Sequence, residues 1–100
     1  MYGGKTPQET FDLFISALEN KNVELASKYF ILNKQMIWLK TLSEYKNKLL
    51  LADFVAELKS IKSIWMTGKE SNQAIEFYYS NNNVIKFEKY PSGIWKLSVL

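Results

Sequence analysis

Three residue types that carry much of protein chemistry are missing from this sequence. None of its 100 residues is Cys, His or Arg, so all 13 basic residues are Lys. Without Cys there is neither a disulfide framework nor a thiolate metal site, and without His the commonest metal ligand and general base are absent. Lys also lacks the planar fork with which Arg recognises guanine and phosphate. The composition therefore predicts no metal or cofactor and argues against nucleic-acid binding.

Glycine and long apolar runs are scarce as well. The four glycines are Gly3, Gly4, Gly68 and Gly93, and their spacing forms no phosphate-binding loop. No apolar run approaches the roughly 20 residues that span a bilayer, and the run at 49–52 is only part of an amphipathic helix. We therefore expect no membrane-spanning segment in this chain.

What is present is typical of a globular domain. One hundred residues, 47% of them hydrophobic and 15% aromatic, suffice for a single core without disulfides. The net charge is +3 and the lysines are dispersed, as on an ordinary solvated surface. The start at 1–4 reads like a trimmed end. We therefore expect a flexible lead at 1–5 and one domain at 6–100, within a larger protein, for which an envelope or secreted parent is one setting.

The hydrophobic period changes near residue 62. Before it, apolar residues recur every three or four positions, and after it they alternate, which predicts helices followed by strands. Thr6 and Pro7 mark the first helix start, as cap and first helical residue. The predicted helices are 6–19, 22–29, 33–46 and 49–60, and the predicted strands are 63–67, 73–80, 84–90 and 94–99. The third and fourth helices could instead form one bent helix.

The alternation also predicts strand register, because a one-residue slip would move every apolar side chain to the wrong face. A three-residue loop at 81–83 sets Phe77 opposite Phe87. The same register sets Glu76 beside Glu88, an unfavourable contact.

The second hairpin has a clearer turn. Residues 91–93 fit a type I turn with glycine at the left-handed position. This turn sets Glu88 opposite Lys96 and Ile85 opposite Val99. The opposite charges of the first pair support the register independently.

We therefore predict an α+β fold in which N-terminal helices pack on one face of a curved, four-stranded antiparallel meander sheet. The other face is predicted to be polar enough for solvent and aromatic enough for a partner. It carries Glu76, Tyr78, Lys86, Glu88, Tyr90, Lys96 and Ser98.

Two stretches carry a family resemblance. The Thr-Pro-Gln-Glu start at 6–9, with the Phe-Ile-Ser-Ala-Leu run at 14–18, is similar to the opening helix of the nuclear transport factor 2-like superfamily. The Ser-Gly-Ile-Trp-Lys-Leu segment at 92–97 resembles that family's closing strand. The resemblance implies a cystatin-like cone fold, although members often have a longer sheet than the four strands predicted here. Catalytic members usually place His, Asp or Tyr in the cone pocket, so the absence of His favours a non-catalytic member.

Two aspartates are the candidates for acid–base chemistry. A carboxylate buried in an apolar cone can act as a general base with Tyr as electrophilic partner. Asp12 lies on the flank of the first helix's apolar stripe, and Asp53 lies one step from Phe54. The alternative is that both are exposed acids near helix N-termini, where negative charge is favourable.

Aromatic residues are the candidates for a ligand pocket or an interface. Trp38 stands out because it lies between Ile37 and Leu39, so its helix is apolar nearly all round. Such a helix is either buried on two sides or carries an exposed patch. The simpler alternative is that the aromatics only fill the core. The candidates are Trp38, Tyr45, Trp65, Tyr78, Tyr90 and Trp95.

These observations favour a non-catalytic interaction or ligand-holding domain. Its partner would be another protein or a second copy of the chain, or it would hold a small apolar ligand. The alternative is an enzyme or carrier that uses Tyr and Asp groups in a cone pocket for small molecules. A roomy cavity with convergent polar groups would distinguish the second hypothesis from the first.

Overall fold

The fold is that of a computed structural model, which describes residues 2–80 and 83–100. Four helices precede four strands, so the predicted α+β class is confirmed. The helices are α1 (Pro7–Glu19), α2 (Val23–Ser27), α3 (Leu32–Asn47) and α4 (Leu51–Ile64). The strands are β1 (Met66–Glu70), β2 (Ala74–Ser80), β3 (Asn83–Lys89) and β4 (Trp95–Val99).

The first two helices begin at side-chain caps, and the first of these, Thr6, is the one that the sequence predicts. Thr6 Oγ1 accepts a hydrogen bond from the Glu9 backbone N–H at 3.1 Å, and Pro7 is the first helical residue. Asn22 Oδ1 accepts from the Leu25 backbone N–H at 3.1 Å and caps α2. These bonds satisfy N–H groups that a helix start leaves without partners.

The end of α3 settles whether the third and fourth helices are one. Leu49 has a φ of 60°, outside the right-handed helical region. Its backbone N–H donates to the Lys46 carbonyl at 3.1 Å, and the Leu50 N–H donates to the Tyr45 carbonyl at 2.8 Å. This pair of bonds is the Schellman motif that ends many helices. The chain therefore forms two helices joined by a tight turn.

The last turn of α4 extends beyond the predicted end. The helix continues to Ile64 instead of 60, and β1 begins at Met66 instead of 63. Ile61 is buried, and its carbonyl accepts from the Trp65 N–H at 2.9 Å. Apolar residues at 61, 64 and 65 fit a helical spacing as well as an alternating one, and the tertiary packing decides for the helix.

The sheet is an antiparallel meander in the order β1-β2-β3-β4, but the predicted register between β2 and β3 is wrong by two residues. Phe77 lies opposite Ile85 instead of Phe87. A two-residue shift keeps every side chain on its own face, so alternation alone cannot distinguish the two registers. The observed register sets Glu76 opposite Lys86 and so avoids the unfavourable contact with Glu88. Two loop residues of the predicted 81–83 turn lie outside the described residues.

The predicted register of the second hairpin is confirmed near the turn and is wrong further along the strands. Glu88 lies opposite Lys96, as predicted. The register then shifts, so that Val99 pairs with Lys86 instead of Ile85. The shift leaves Ser98 as an extra residue whose hydroxyl donates to the Lys86 carbonyl at 3.2 Å. Such a bulge cannot be inferred from apolar alternation, which assumes a regular ladder.

Two segments from the helical half cover the outer edge of β4. The Trp95 N–H donates to the Gly4 carbonyl at 2.9 Å. The Leu97 N–H donates to the Tyr29 carbonyl, and the Leu97 carbonyl accepts from the Ile31 N–H, each at 2.8 Å. These bonds give β4 backbone partners on both sides and tie the helices to the sheet.

The Thr10 hydroxyl joins the two ends of the fold. It accepts from the Gly4 N–H at 2.9 Å and donates to the Trp95 carbonyl at 2.8 Å. Thr10 is fully buried, so both contacts satisfy groups that water cannot reach.

The outer face of the sheet is less open than predicted. Lys96 and Ser98 are buried there rather than solvent-facing. The Lys96 Nζ donates to the Lys28 carbonyl at 2.8 Å and lies 5.6 Å from the centre of the Tyr90 ring. The segment after α2 therefore covers this end of the face, a contact that sequence periodicity does not report.

Candidate functional site

Aromatic rings fill the space between the helices and the inner face of the sheet. Trp65, at the C-terminal cap of α4, stacks on Phe77 with ring centres 4.3 Å apart and an angle of 13°. Phe11 from α1 lies 5.0 Å from Trp65, and Phe87 lies 5.9 Å from Phe77. Phe11, Phe77 and Phe87 are almost completely buried. The interior in which a cone pocket would lie is therefore occupied by this ring cluster.

Trp38 contributes to the same interior rather than to an exposed patch. Its ring stacks on Phe30, with centres 4.8 Å apart and an angle of 11°. Phe30 in turn makes an edge contact of 5.2 Å with Phe14. Because both phenylalanines are fully buried, Trp38 fixes α3 to the core.

Tyr90 and Trp95 hold parts of the chain together at the last hairpin. The Tyr90 hydroxyl accepts from the Leu32 backbone N–H at 3.1 Å, which fixes the start of α3. Trp95 is partly buried, and its backbone makes the contacts to Gly4 and Thr10 described above. These contacts give both residues a structural role at the last hairpin.

Tyr78 lies on the outer face, across β1. Its ring covers Gly68 so closely that a Cβ added there would lie 2.0 Å from Tyr78 Cε2. Its hydroxyl donates to Glu76 Oε1 at 3.1 Å. This hydrogen bond raises the pKa of Tyr78, with smaller contributions from burial and the charge of Glu76. The close contact of the ring with Gly68 and the hydrogen bond to Glu76 support a structural role for Tyr78.

Tyr45 lines an open groove of about 230 Å³ beside the first turns of α4. Its ring makes an edge contact with Phe54, with centres 5.2 Å apart. Leu50, Asp53 and Glu57 complete the groove. The six predicted aromatics therefore lie in several different parts of the fold rather than around one site.

The two candidate aspartates are exposed. Asp12 forms an ion pair with Lys62, and Glu19 forms a second pair with Lys59 at 2.7 Å, so both pairs bridge α1 and α4. They line an open groove of about 510 Å³. Asp53 lies in the first turn of α4, where its charge favours the helix. These positions agree with the alternative that both acids are ordinary surface groups.

The most exposed apolar side chains of the described residues lie on and just after α3. This helix has a single buried residue, Leu42. Leu49 is 85% exposed, Met36 78% and Leu32 76%. We name the following set the α3 surface: Leu32, Met36, Ile37, Leu49 and Leu50. The sequence drew attention to this helix through Trp38, but which of its apolar residues face solvent depends on where the helix docks.

Charge is concentrated on the same segment. Residues 32–50 contain four lysines and one acid, Glu44, which gives them a net charge of +3. The remaining residues contain nine lysines and nine acids, so the whole net charge of the chain resides on this segment. The lysines are Lys34, Lys40, Lys46 and Lys48. The lysines are dispersed along the sequence, but acids balance them everywhere except on this segment, which therefore carries a local excess of positive charge.

Leu49 combines exposure with backbone strain. A left-handed conformation normally favours Gly or Asn, because the Cβ of other residues crowds the following carbonyl. Lys21 has the same conformation, with a φ of 58°, at the end of α1. Both residues line an open groove of about 320 Å³ with Lys46, Leu51 and Ala52. An apolar side chain is thus held in solvent at a position where glycine would be more stable, and such outliers often mark functional surfaces.

Comparison with protein families, curated proteins and solved structures finds no match. The relation to the nuclear transport factor 2-like superfamily therefore stays a prediction from the opening helix and the closing strand. Across residues 2–80 and 83–100, no group of three or more His, Cys, Asp or Glu side chains is placed to hold a metal ion. Over the same part of the chain, no helix has both the length and the apolar character needed to cross a membrane.

Proposed function

We propose that this chain is a non-catalytic interaction domain that binds its partner through the α3 surface. The observation that carries the proposal is the coincidence, on one segment, of the three most exposed large apolar side chains of the described residues with the entire net charge. Large exposed apolar side chains grouped on one segment of a domain are typical of interaction surfaces. The domain would serve within a larger protein and present α3 to another molecule.

The way α3 is attached supports this role. Leu42, Trp38 and the Tyr90 hydroxyl hold the helix to the rest of the fold through a core residue, a ring stack and a backbone hydrogen bond. The helix is therefore fixed on one side while its other side is exposed. A rigid helix with an unpartnered apolar side loses little conformational entropy when it binds.

The filled interior supports the interaction role over that of a small-molecule enzyme or carrier. A pocket for a ligand needs enclosed space with a few convergent polar groups. Trp65 and Phe77 occupy that space with stacked rings, and the candidate base Asp12 is paired with Lys62 on the surface. The proposal retains the nuclear transport factor 2-like assignment, as a non-catalytic member whose cone is packed with side chains.

Native mass spectrometry of gently purified protein tests the proposal. We expect the mass of the bare chain, as a monomer or a dimer, with no additional small molecule. Extra mass that denaturation releases would overturn the interaction role in favour of a carrier.

If a dimer is seen, a pair of matched variants tests whether the α3 surface forms it. Met36→Gln with Ile37→Gln should weaken the dimer, whereas Ile64→Gln with Met66→Gln, at similarly exposed apolar sites elsewhere, should not. Sedimentation velocity at several concentrations measures the difference. Equal weakening by both pairs would contradict the choice of surface.

A further inference from the structure

We propose that the partner of the α3 surface is an anionic lipid bilayer, on which α3 lies flat while the turn at Leu49 and Leu50 enters the headgroup region. This inference rests on the proposed interaction role and names the partner. It requires three properties of the surface: positive charge, apolar anchors and a shape that fits a plane.

The charge has the right sign and the right place. The segment from 32 to 50 carries +3, whereas the rest of the chain is neutral. A basic residue close to an anionic membrane strengthens binding by about fivefold, and salt screens the effect. The exposed lysines Lys40, Lys46 and Lys48 can hold their charged ends at the headgroups while their aliphatic stems lie deeper.

The distribution of the apolar anchors fits a flat surface better than a protein pocket. Three anchors lie at the start of α3 and two follow its end, and the sixteen residues of the helix span roughly 24 Å. Protein interfaces instead concentrate their energy in a central cluster rich in Trp, Tyr and Arg. Here Trp38 and Tyr45 turn towards Phe30 and Phe54. What remains outside is aliphatic, with lysine between the anchors, so apolar side chains and the charged ends of lysines can both contact the headgroup region of a bilayer.

The turn after α3 explains why a strained apolar residue is exposed. Leu49 and Leu50 follow three exposed polar residues at 46–48, so the turn is the most exposed stretch of this region. A leucine that enters a bilayer gains roughly tenfold or more in binding, because its apolar area leaves water. Glycine would suit the backbone at this position but could supply none of that gain.

Vesicle flotation tests the inference with the intact chain. The probes are vesicles of phosphatidylcholine alone and vesicles in which roughly a quarter of the lipid is phosphatidylglycerol, each at roughly 0.1 M and 1 M salt. We expect binding to the anionic vesicles at low salt and much less in the other three conditions. The Leu49→Gln variant should bind about fivefold to tenfold more weakly, and Glu44→Gln, which removes the acid on this segment, should bind several-fold more tightly.

The absence of Cys from the chain allows a direct measurement of depth. A single cysteine can be introduced at an exposed position and labelled with a fluorophore that reports polarity. The Leu49→Cys label should shift to shorter wavelength on anionic vesicles. The Ile64→Cys label, at an exposed apolar site away from the segment, should not shift. This pair separates insertion of the turn from unspecific adsorption, and it does not depend on affinity.

Each contrary outcome has a definite meaning. Equal binding to neutral and anionic vesicles, no binding to either, or an equal shift of the labels at 49 and 64 would overturn the membrane inference. Binding to an acidic polypeptide such as polyglutamate but not to vesicles would replace the lipid by a protein partner. In those cases a bare native mass, with any dimer weakened by changes at Met36 and Ile37, still supports the interaction role. A releasable small molecule would instead overturn the proposed function itself.

Discussion

The exposed, left-handed residue Leu49 allows a stability prediction with an unusual sign. Replacing a large apolar residue with glycine normally destabilises a protein, but Leu49→Gly should stabilise this one. The left-handed conformation costs an L-residue about 1–2 kcal/mol, which glycine avoids. Glycine's greater freedom in the unfolded chain offsets about 0.5–1 kcal/mol of that gain. Because Leu49 is 85% exposed, little apolar burial is lost.

The net expectation is a gain of roughly 0.5–1 kcal/mol in the free energy of unfolding, or about 2–8 °C in Tm for a domain of this size. Urea unfolding followed by circular dichroism measures the gain, with the m value as a check that the unfolded state is unchanged. Lys21→Gly relieves the same conformation at the end of α1 and should give a gain of similar size. Leu50→Gly is the opposite control, because Leu50 has a φ of −101° and gains nothing from glycine. It should destabilise by about 1 kcal/mol.

The reasoning fails if Leu49→Gly unfolds at the same or lower urea concentration than the wild type with an unchanged m value. A gain in Lys21→Gly but not in Leu49→Gly would mean that the leucine side chain makes a stabilising contact despite its exposure. If the membrane inference also holds, the Leu49→Gly variant should be more stable than the wild type but bind vesicles more weakly. Glycine favours the backbone conformation at this position, whereas leucine favours binding to the membrane.

Three further predictions concern the core and the sheet. Trp65→Ala should destabilise the domain by about 3–5 kcal/mol and reduce the near-ultraviolet circular dichroism, because it removes the ring stacked on Phe77; a loss under 1 kcal/mol would mean that the ring cluster is not the core. Gly68→Ala should cost about 0.5–1.5 kcal/mol because its Cβ would displace the exposed Tyr78 ring from its rotamer, and the cost should shrink in a Tyr78→Ala background, whereas additive costs in the double mutant would contradict this contact. Burial lowers the pKa of Lys96, so the folded state releases this proton at a lower pH than the unfolded state does. The free energy of unfolding should therefore rise as the pH increases from the lowered pKa of Lys96 towards 10.5, the pKa of an unperturbed lysine. Lys96→Met should remove that rise when urea unfolding is measured across this pH range.

Local signals were enough to predict the fold class and the starts of the first two helices, whereas α4 begins at Leu51 instead of the predicted 49. Thr6 and Asn22 cap helices because their side chains can accept the free N–H groups, and this depends only on nearby residues. The α2 helix ends at Ser27, earlier than the predicted 29, because the following residues pair with β4. The sequence contains no local sign of that pairing, since the partners lie far apart in the chain.

The two errors in register have different origins: a two-residue shift between β2 and β3, and a bulge between β3 and β4. Apolar alternation distinguishes the two faces of a strand but not a shift by two, so Phe77 could be assigned to either Ile85 or Phe87. The charge of Glu76 offered a second criterion, because the observed register gives it Lys86 as a neighbour. The observed pairing also shifts register between Tyr78 and Ser80, an irregularity that neither charge nor apolar alternation predicts.

The sequence indicates that α3 is a candidate surface but does not identify which of its apolar residues are exposed. The near-continuous apolar character of α3 indicated an exposed patch, and the patch exists. Trp38 is an interface candidate from the sequence because it lies between Ile37 and Leu39, yet its ring stacks on buried Phe30 while Met36 is exposed. Which side of an almost uniformly apolar helix faces the core is decided by distant partners such as Phe30, so the sequence of the helix alone could not decide it.

The contact of the Thr10 hydroxyl with Gly4 and Trp95 has a consequence for the order of assembly. It joins positions 85 residues apart, so it can form only when almost the entire chain is available. During synthesis, α1 therefore emerges before Trp65 and Phe87, the partners that the Phe11 ring contacts in the folded domain. Synthesis of the sheet, rather than formation of the helices, determines when a nascent chain can bury the Phe11 ring.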